Sequence, residues 1–243
     1  MTTPAVKIAF YTAAFCLFLV AAGGMYGQEF SRDLFLAQTR LNGKDVLALQ
    51  RKLLALGFTV VGEADGWFGP NTETAVKKME GWLGFPADGK VTKPVWKALF
   101  SPWLEARYFS LLREANAIRT DKLRKVEKEL MERAPEGGEA EVYLSGEDPV
   151  CAVIRLYGEM SQVRYDVYRF EDDSYLVLET WARYPETFDL EHATYEYTGY
   201  FNSRAASYRV KNGVPVPTAF DEVKAVEMMD EALGLLERPD IGD

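Results

Sequence analysis

The hydrophobic and polar positions of this chain follow two different periods. Up to about residue 133, apolar residues recur at three- and four-residue spacing, which is typical of amphipathic helices. Beyond about residue 138, apolar and polar residues alternate in short runs rich in Tyr, Val and Phe, which is typical of β-strands. The segment Ala134-Pro135-Glu136-Gly137-Gly138 separates the two parts and predicts a domain boundary. We therefore expect an α+β protein with its helices before its strands.

Residues 38–101 predict a module of three helices separated by glycine-containing turns. The first helix starts near Lys44, ends at Gly57 and carries an apolar stripe formed by Val46, Leu49, Leu53 and Leu56. The second follows the turn Asp65-Gly66 and has Pro70 at its first position, where the fixed φ of proline suits a helix start. The third is short and follows the turn Asp88-Gly89. Residues 65–76 and 88–99 align without a gap, which indicates two copies of one turn-helix unit.

Residues 103–133 predict one long helix that links the two parts of the chain. Apolar side chains line one face of its first half, and its second half is dense in both charges at spacings that allow i,i+4 ion pairs. We interpret this linker helix as a semi-rigid spacer.

Residues 138–243 predict an acidic antiparallel β meander with a closing helix. Strand-like runs cover residues 141–144, 150–157, 163–170, 175–184, 194–201 and 205–210. Asp172-Asp173 and Asn202-Ser203 are predicted hairpin turns. An amphipathic helix over about residues 220–236 would cover one face of the sheet with Val223, Val226, Met229, Leu233 and Leu236.

The N-terminal segment, residues 1–27, predicts export. Lys7 is followed by about twenty uncharged residues that end in small side chains, a pattern typical of a signal peptide cleaved after Gly24 or Gly27. The alternative is an uncleaved anchor, since this stretch is just long enough to cross a bilayer. In both cases the basic residue precedes the apolar run, which places the remainder outside the inner membrane. We expect an extracytoplasmic protein, in the periplasm or the cell wall.

The charge distribution excludes two classes of partner. The chain has a net charge of −9, and its acidic excess lies after residue 140. Nucleic-acid phosphates and anionic lipids both require a basic surface. We therefore expect no nucleic acid, and membrane contact only through an uncleaved N-terminal segment. A protein partner for the C-terminal part stays open.

The helical module contains a dense series of motif residues. The first helix supplies Val46, Leu49, Gln50, Leu53, Leu56 and Gly57. The second unit supplies Asp65, Gly66, Phe68, Gly69, Thr72, Ala75 and Val76, and the third supplies Asp88, Gly89, Val91, Trp96 and Leu99. This series resembles the peptidoglycan-binding domain, type 1, over about a quarter of the chain. The sequence departs from the family at Met79-Glu80, where Phe-Gln is usual, and at Thr92 and Val95. The resemblance implies a module that binds peptidoglycan without chemistry.

Candidate ligand-binding residues surround the first Asp-Gly turn. Sugars and short peptides are usually held by an aromatic side chain beside a few directional polar groups. We therefore expect contact from Asp65, Gly66, Trp67, Asn71, Thr72 and Trp82. Trp67 is the strongest candidate because it flanks the turn away from the core spacing, whereas Phe68 recurs on a buried face. For Asp65 and Thr72, stabilisation of the turn and of the helix start is an equally open role.

Residues suited to catalysis are sparse in this sequence. Cys151 lies in an apolar run and is predicted to be a buried, inert thiol. The single histidine, His192, does not provide the ligand set of a zinc amidase. We therefore predict no catalytic residue, no metal and no cofactor. The alternative is a peptidoglycan-modifying hydrolase that uses carboxylates of the C-terminal part, such as Glu159, Glu179 or Glu191.

Overall fold

The computed structural model describes residues 29–130, 134–170, 174–187, 189–203 and 206–218. Four helices come first: α1 (Lys44–Ala55), α2 (Pro70–Trp82), α3 (Lys93–Leu99) and α4 (Pro102–Ala117). Eight strands follow: β1 (Arg124–Glu129), β2 (Gly138–Ser145), β3 (Asp148–Gly158), β4 (Ser161–Arg169), β5 (Tyr175–Arg183), β6 (Thr194–Ser203), β7 (Ala206–Lys211) and β8 (Val214–Thr218). The predicted α+β class is confirmed. The predicted signal peptide or anchor, the Asp172-Asp173 turn and the predicted C-terminal helix lie outside the described residues.

Helix α1 forms where the apolar stripe predicts it. Val46, Leu49 and Leu53 are fully buried, and the chain leaves the helix through Gly57 with a φ of 87°. Glycine adopts this left-handed conformation without steric cost, so it ends the helix. The amide nitrogen Nδ2 of Asn116 in α4 donates to the Leu56 carbonyl at 2.8 Å. The last turn of α1 is thus held by α4.

Residues 29–42 connect the two turn-helix units. Leu34 and Val91 exchange backbone hydrogen bonds of 3.2 and 2.8 Å, and the Phe68 N–H donates to the Leu41 carbonyl at 2.8 Å. Leu34 is fully buried, and the Phe30 ring lies 6.3 Å from the Trp96 ring. The packed helical part therefore begins before residue 38, the start expected from the sequence.

Helix α4 is shorter than the predicted linker helix of residues 103–133. It ends at Ala117, and Arg124–Glu129 form strand β1 instead, so the helix prediction is wrong for its second half. The charges of this segment suit i,i+4 pairs on a helix. They also suit an edge strand, where pairing with β2 satisfies the backbone groups on one side and the charged side chains stay in solvent.

Helix α4 is also part of the core, in contrast to the exposed spacer that the sequence suggests. Leu104, Tyr108, Phe109 and Leu112 are fully buried. The Tyr108 hydroxyl donates to the Trp82 carbonyl at 2.5 Å, and its ring lies 5.0 Å from the Phe201 ring of β6. Helix α4 therefore packs against both α2 and the sheet.

A buried ion pair ties α1 to α4 at the same interface. The Lys52 ammonium of α1 is buried, binds the Glu105 carboxylate and lies 4.8 Å above the Phe109 ring. Arg113 binds the other Glu105 oxygen at 2.8 Å. A buried charge of this kind is stable only when it is paired, so Lys52 fixes the register of the two helices.

The eight strands pair in chain order as one antiparallel sheet, with β1 and β8 at its edges. Strands β2 to β7 match the predicted runs, whereas β1 and β8 were not predicted. Asn202 and Ser203 end strand β6, so the hairpin turn predicted at these two residues is wrong. The prolines at 215 and 217 explain why β8 was not predicted, since proline is typical both of edge strands and of loops.

The two faces of the sheet have different environments. One face packs against the helices through residues that include Leu176, Phe201 and Val210. Gly199 of β6 lies on this face, where an added Cβ would be 2.6 Å from the Tyr108 hydroxyl, so the close approach requires glycine. The opposite face carries a second cluster with Val142, Ile154, Val167 and Val177, all at most 1% exposed. The described members of that cluster come from the sheet and from Leu130, and none from a helix.

Candidate ligand-binding site

The first Asp-Gly turn lies between α1 and α2, and its backbone conformation depends on glycine. Gly66 has a φ of 80°, and its carbonyl accepts the Gly43 N–H at 3.1 Å. The Asp65 carboxylate accepts the Trp67 N–H at 2.9 Å, two residues further along the chain. This is an Asx turn, in which the carboxylate replaces a backbone acceptor. The turn predicted from the sequence is present.

The buried side chain of Gln50 in α1 stabilises this turn through hydrogen bonds. Its amide nitrogen donates to Asp65 at 2.9 Å, and its amide oxygen accepts the Gly66 N–H at 2.7 Å. The same nitrogen lies 3.2 Å from the Thr72 hydroxyl. Gln50 and Thr72 are both 2% exposed. The hydrogen bond from Gln50, followed by that from the Trp67 N–H, lowers the pKa of Asp65, so the carboxylate is charged and fixed in orientation.

Trp67 is the exposed aromatic residue of the turn. Half of its surface, 50%, is open to solvent, whereas the adjacent Phe68 is fully buried in the core. Trp67 pairs with Asn42 through the backbone, and the Asn42 amide donates to the Gly66 carbonyl at 3.0 Å. Arg40, also exposed, is close enough to contribute to the lowered pKa of Asp65. A large apolar ring is thus surrounded by groups of both charges and by an amide.

The structure separates the predicted site residues into three groups. Asp65, Trp67 and Asn71 are exposed at the turn and at the start of α2. Gly66 and Thr72 are buried and support the turn. Trp82 is only 7% exposed and packs against Tyr168 of β4 at 5.8 Å, so it belongs to the helix-sheet core and offers no open platform.

Sequence reasoning missed two residues of this surface, Asn42 and Arg40. Asn42 is the residue before the glycine that precedes α1, and Arg40 lies in the segment that pairs with the turn. Backbone pairing across more than twenty residues brings Asn42 beside Trp67, and Arg40 lies near enough to Asp65 to affect its pKa. The motif spacing gives no signal for such a long-range contact.

The family comparison agrees with this geometry. Residues 42–99 match the family model described as a putative peptidoglycan binding domain. These residues are a type 1 peptidoglycan-binding domain. The match ends at α3, so α4 and the sheet lie outside it. Comparison with curated proteins and with solved structures gives no significant match to the chain.

The second turn of the peptidoglycan-binding domain repeats the first with one substitution. Asp88 accepts the Lys90 N–H at 2.8 Å, and Gly89 has a φ of 80°. Here Glu80, in place of the family's usual Gln, accepts the Gly89 N–H at 2.8 Å. Glu80 is 1% exposed, and its burial, with the nearby Asp88 charge, raises its pKa to about 8. The carboxyl is therefore mostly protonated at neutral pH.

The groups considered for catalysis lie in the sheet and its connections, outside the peptidoglycan-binding domain. Cys151 is buried in β3, as predicted, and burial raises its pKa to about 11, so the thiol is protonated. His192 is exposed and bonds to Asp189 at 2.8 Å. Burial raises the pKa of Glu179, whose two oxygens accept hydrogen bonds from Trp181 and Tyr200.

Length and hydropathy distinguish the described helices from membrane-spanning helices. In residues 29–218, apart from the undescribed gaps, none of the helices is both long enough and apolar enough to cross a bilayer.

Proposed function

We propose that this protein is an exported, non-catalytic protein of the cell envelope that binds peptidoglycan through the surface around Trp67. The family match supports peptidoglycan binding by residues 42–99. The observation that carries the placement of the site is the half-exposed Trp67 ring beside a turn whose polar groups are held by buried partners. The sheet is then presented next to the wall for a ligand of its own.

Preorganisation is the physical advantage of this surface. Binding loses free energy whenever flexible groups must be ordered. The Asp65 carboxylate already has a fixed orientation, because Gln50 and the Trp67 N–H both donate to the same oxygen. Trp67 supplies apolar area for a sugar ring or an alkyl chain, and Asn42 and Asn71 supply amide groups. This combination of an exposed ring, amide groups and a fixed carboxylate suits ligand binding.

The proposal of a non-catalytic role rests on the state of the reactive groups. A thiol with a pKa of about 11 has almost no nucleophilic thiolate at neutral pH. Glu179 has both oxygens engaged by Trp181 and Tyr200. Export is proposed from the charge and apolar pattern of residues 1–27.

Sedimentation with insoluble peptidoglycan tests the proposed site. We expect the chain from residue 28 onward to pellet with purified walls, and Trp67→Ala to bind several-fold more weakly. Because Trp67 is half exposed, this change should cost no more than about 1 kcal/mol of stability. Val60→Ala is the matched control, since Val60 is an exposed apolar residue at 37% in the connection between α1 and α2. It should bind as the wild type does.

Three results would contradict parts of the proposal. If wild-type protein stays in the supernatant, peptidoglycan binding is wrong. If Trp67→Ala binds normally, or unfolds, the placement of the site is wrong. If the purified protein clears peptidoglycan in a zymogram, the non-catalytic role is wrong.

A further inference from the structure

Two tyrosines form a second aromatic surface on the sheet, which we call the tyrosine platform: Tyr195 and Tyr197. Tyr195 and Tyr197 lie on the same face of β6, with ring centroids 6.4 Å apart and an angle of 20° between the rings. Tyr195 is 45% exposed, although it is a large side chain on a strand. Tyr184 follows β5 and is nearly buried. The two rings of β6 therefore form a nearly parallel pair that solvent can reach.

Small, amide and ion-paired side chains surround the platform. Tyr195 pairs with Ala182 of β5, and Ala182 pairs with Gln162 of β4, so a small side chain lies between the tyrosine rings and the amide. The Tyr184 hydroxyl donates to the Gln162 amide oxygen at 3.2 Å. Arg164, the next residue of β4 on this face, is paired with Asp166 at 2.6 Å. The polar groups beside the platform are therefore an amide and a guanidinium that already has a carboxylate partner.

The platform adjoins the peptidoglycan-binding domain at the end of α2. A Cβ added to Gly81 would lie 3.3 Å from the Tyr197 ring, so the ring rests against the helix backbone. The preceding residue, Glu80, accepts the Gly89 N–H of the second turn. Burial raises the pKa of Tyr197. The inner ring of the platform thus packs against the C-terminal end of α2, and the more exposed Tyr195 ring lies beside it.

We propose that the tyrosine platform is an additional binding site for the glycan strand of peptidoglycan. Sugar rings present flat C–H faces that pack on aromatic rings, and their hydroxyls match the amide and hydroxyl groups beside them. Stem peptides carry charged groups, whereas the guanidinium of Arg164, on this face beside the platform, is already paired with Asp166. This inference rests on the proposed peptidoglycan binding and extends it from the helical domain to the sheet. It also explains why Tyr195 is left open beside that domain.

The test compares intact walls with glycan strands that have been freed of stem peptides by an amidase and immobilised. Wild-type chain from residue 28 onward, Tyr195→Ala, Tyr195→Gln and Tyr195→Phe are measured on both. We expect about three- to tenfold weaker binding of the Ala and Gln variants on both materials, because the ring is lost. Tyr195→Phe keeps the ring and should bind as the wild type does. Tyr143→Ala is the control, a tyrosine on the same face in the distant strand β2.

The outcomes separate this inference from the proposed function. Weaker binding of Tyr195→Ala and Tyr195→Gln, with unchanged melting and an unchanged Tyr143→Ala, supports the platform. Wild-type affinity in either variant overturns it, while a loss in Trp67→Ala in the same assay leaves the proposed function intact. A loss confined to intact walls overturns the assignment to glycan. Absence of wild-type binding to both materials overturns the proposed function together with the platform.

Discussion

Replacement of Glu80 by Gln should stabilise this protein at neutral pH. Glu80 is 1% exposed and accepts the Gly89 N–H, and its pKa is raised from 4.5 to about 8 by burial and by the Asp88 charge. Tyr197 also faces it, and Lys77 of α2 opposes the rise. Gln has nearly the same shape and keeps an acceptor oxygen for Gly89. Gln cannot ionise, so the substitution removes the protonation equilibrium of this side chain.

The magnitude follows from the difference between the folded and unfolded pKa. In the unfolded chain the carboxyl loses its proton above about pH 4.5, whereas the folded protein retains it up to about pH 8. Stability is therefore fully present below pH 4.5 and is lost as the pH rises from 4.5 to 8. At about 1.4 kcal/mol per pKa unit, the loss at pH 7 is about 3 kcal/mol. Glu80→Gln should recover this amount, which corresponds to roughly 6 to 12 °C in Tm.

Urea and thermal unfolding between pH 4 and 9 would measure this effect. The stability of the wild type should fall across this range relative to Glu80→Gln, and the two proteins should converge near pH 4. Glu73→Gln is the control on the same helix, since Glu73 is partly exposed and pairs with Lys77 at 3.3 Å. That change should alter stability by no more than about 0.5 kcal/mol. If Glu80→Gln is no more stable than the wild type at pH 7, Glu80 is ionised in the fold and the reasoning is wrong.

Three further changes test the packing and the site. Gly199→Ala should destabilise the fold by about 3 kcal/mol or more in thermal melts, since its Cβ would lie 2.6 Å from the Tyr108 hydroxyl; an unchanged Tm would contradict this contact. A chain that ends at Thr218 should lose stability or self-associate by light scattering, because the predicted closing helix would no longer cover the second apolar cluster; a stable monomer would exclude that cover. Cys151→Ser combined with His192→Ala should leave any wall-related phenotype intact, and a complete loss of activity without unfolding would revive a catalytic role.

Local signals predicted most of the elements correctly. The apolar stripe of α1, the glycine at its end and the proline at the start of α2 each act within a few residues, so the sequence is sufficient to locate them. The same holds for β2 to β7, whose alternation reflects one buried and one less buried face. The repeated Asp-Gly turns were likewise recognisable, because glycine at a positive φ is a local requirement.

Long-range contacts account for what the sequence did not predict. The charged segment Arg124–Glu129 has a charge spacing that suits a helix, and its pairing with β2 makes it a strand instead. Trp82 was expected at the ligand surface, but the position of β4 beneath it could not be inferred from motif spacing. Gln50 was identified as a motif residue. Its role in stabilising the first turn depends on a hydrogen bond to Asp65, fifteen positions further along, which the sequence does not reveal.

The two edges of the sheet bear on how this protein behaves at high local concentration. Among the described residues, β1 and β8 are the outer strands of the meander, and outer strands can pair with strands of other molecules. Proline occupies every second position of β8, at 215 and 217. At these positions the strand has no N–H that could donate to a strand of another molecule. On β1, a close row of lysine and glutamate charges would have to be desolvated before another chain could pair with it. A protein crowded on a polymeric surface is thereby protected from stacking edge to edge into fibrils.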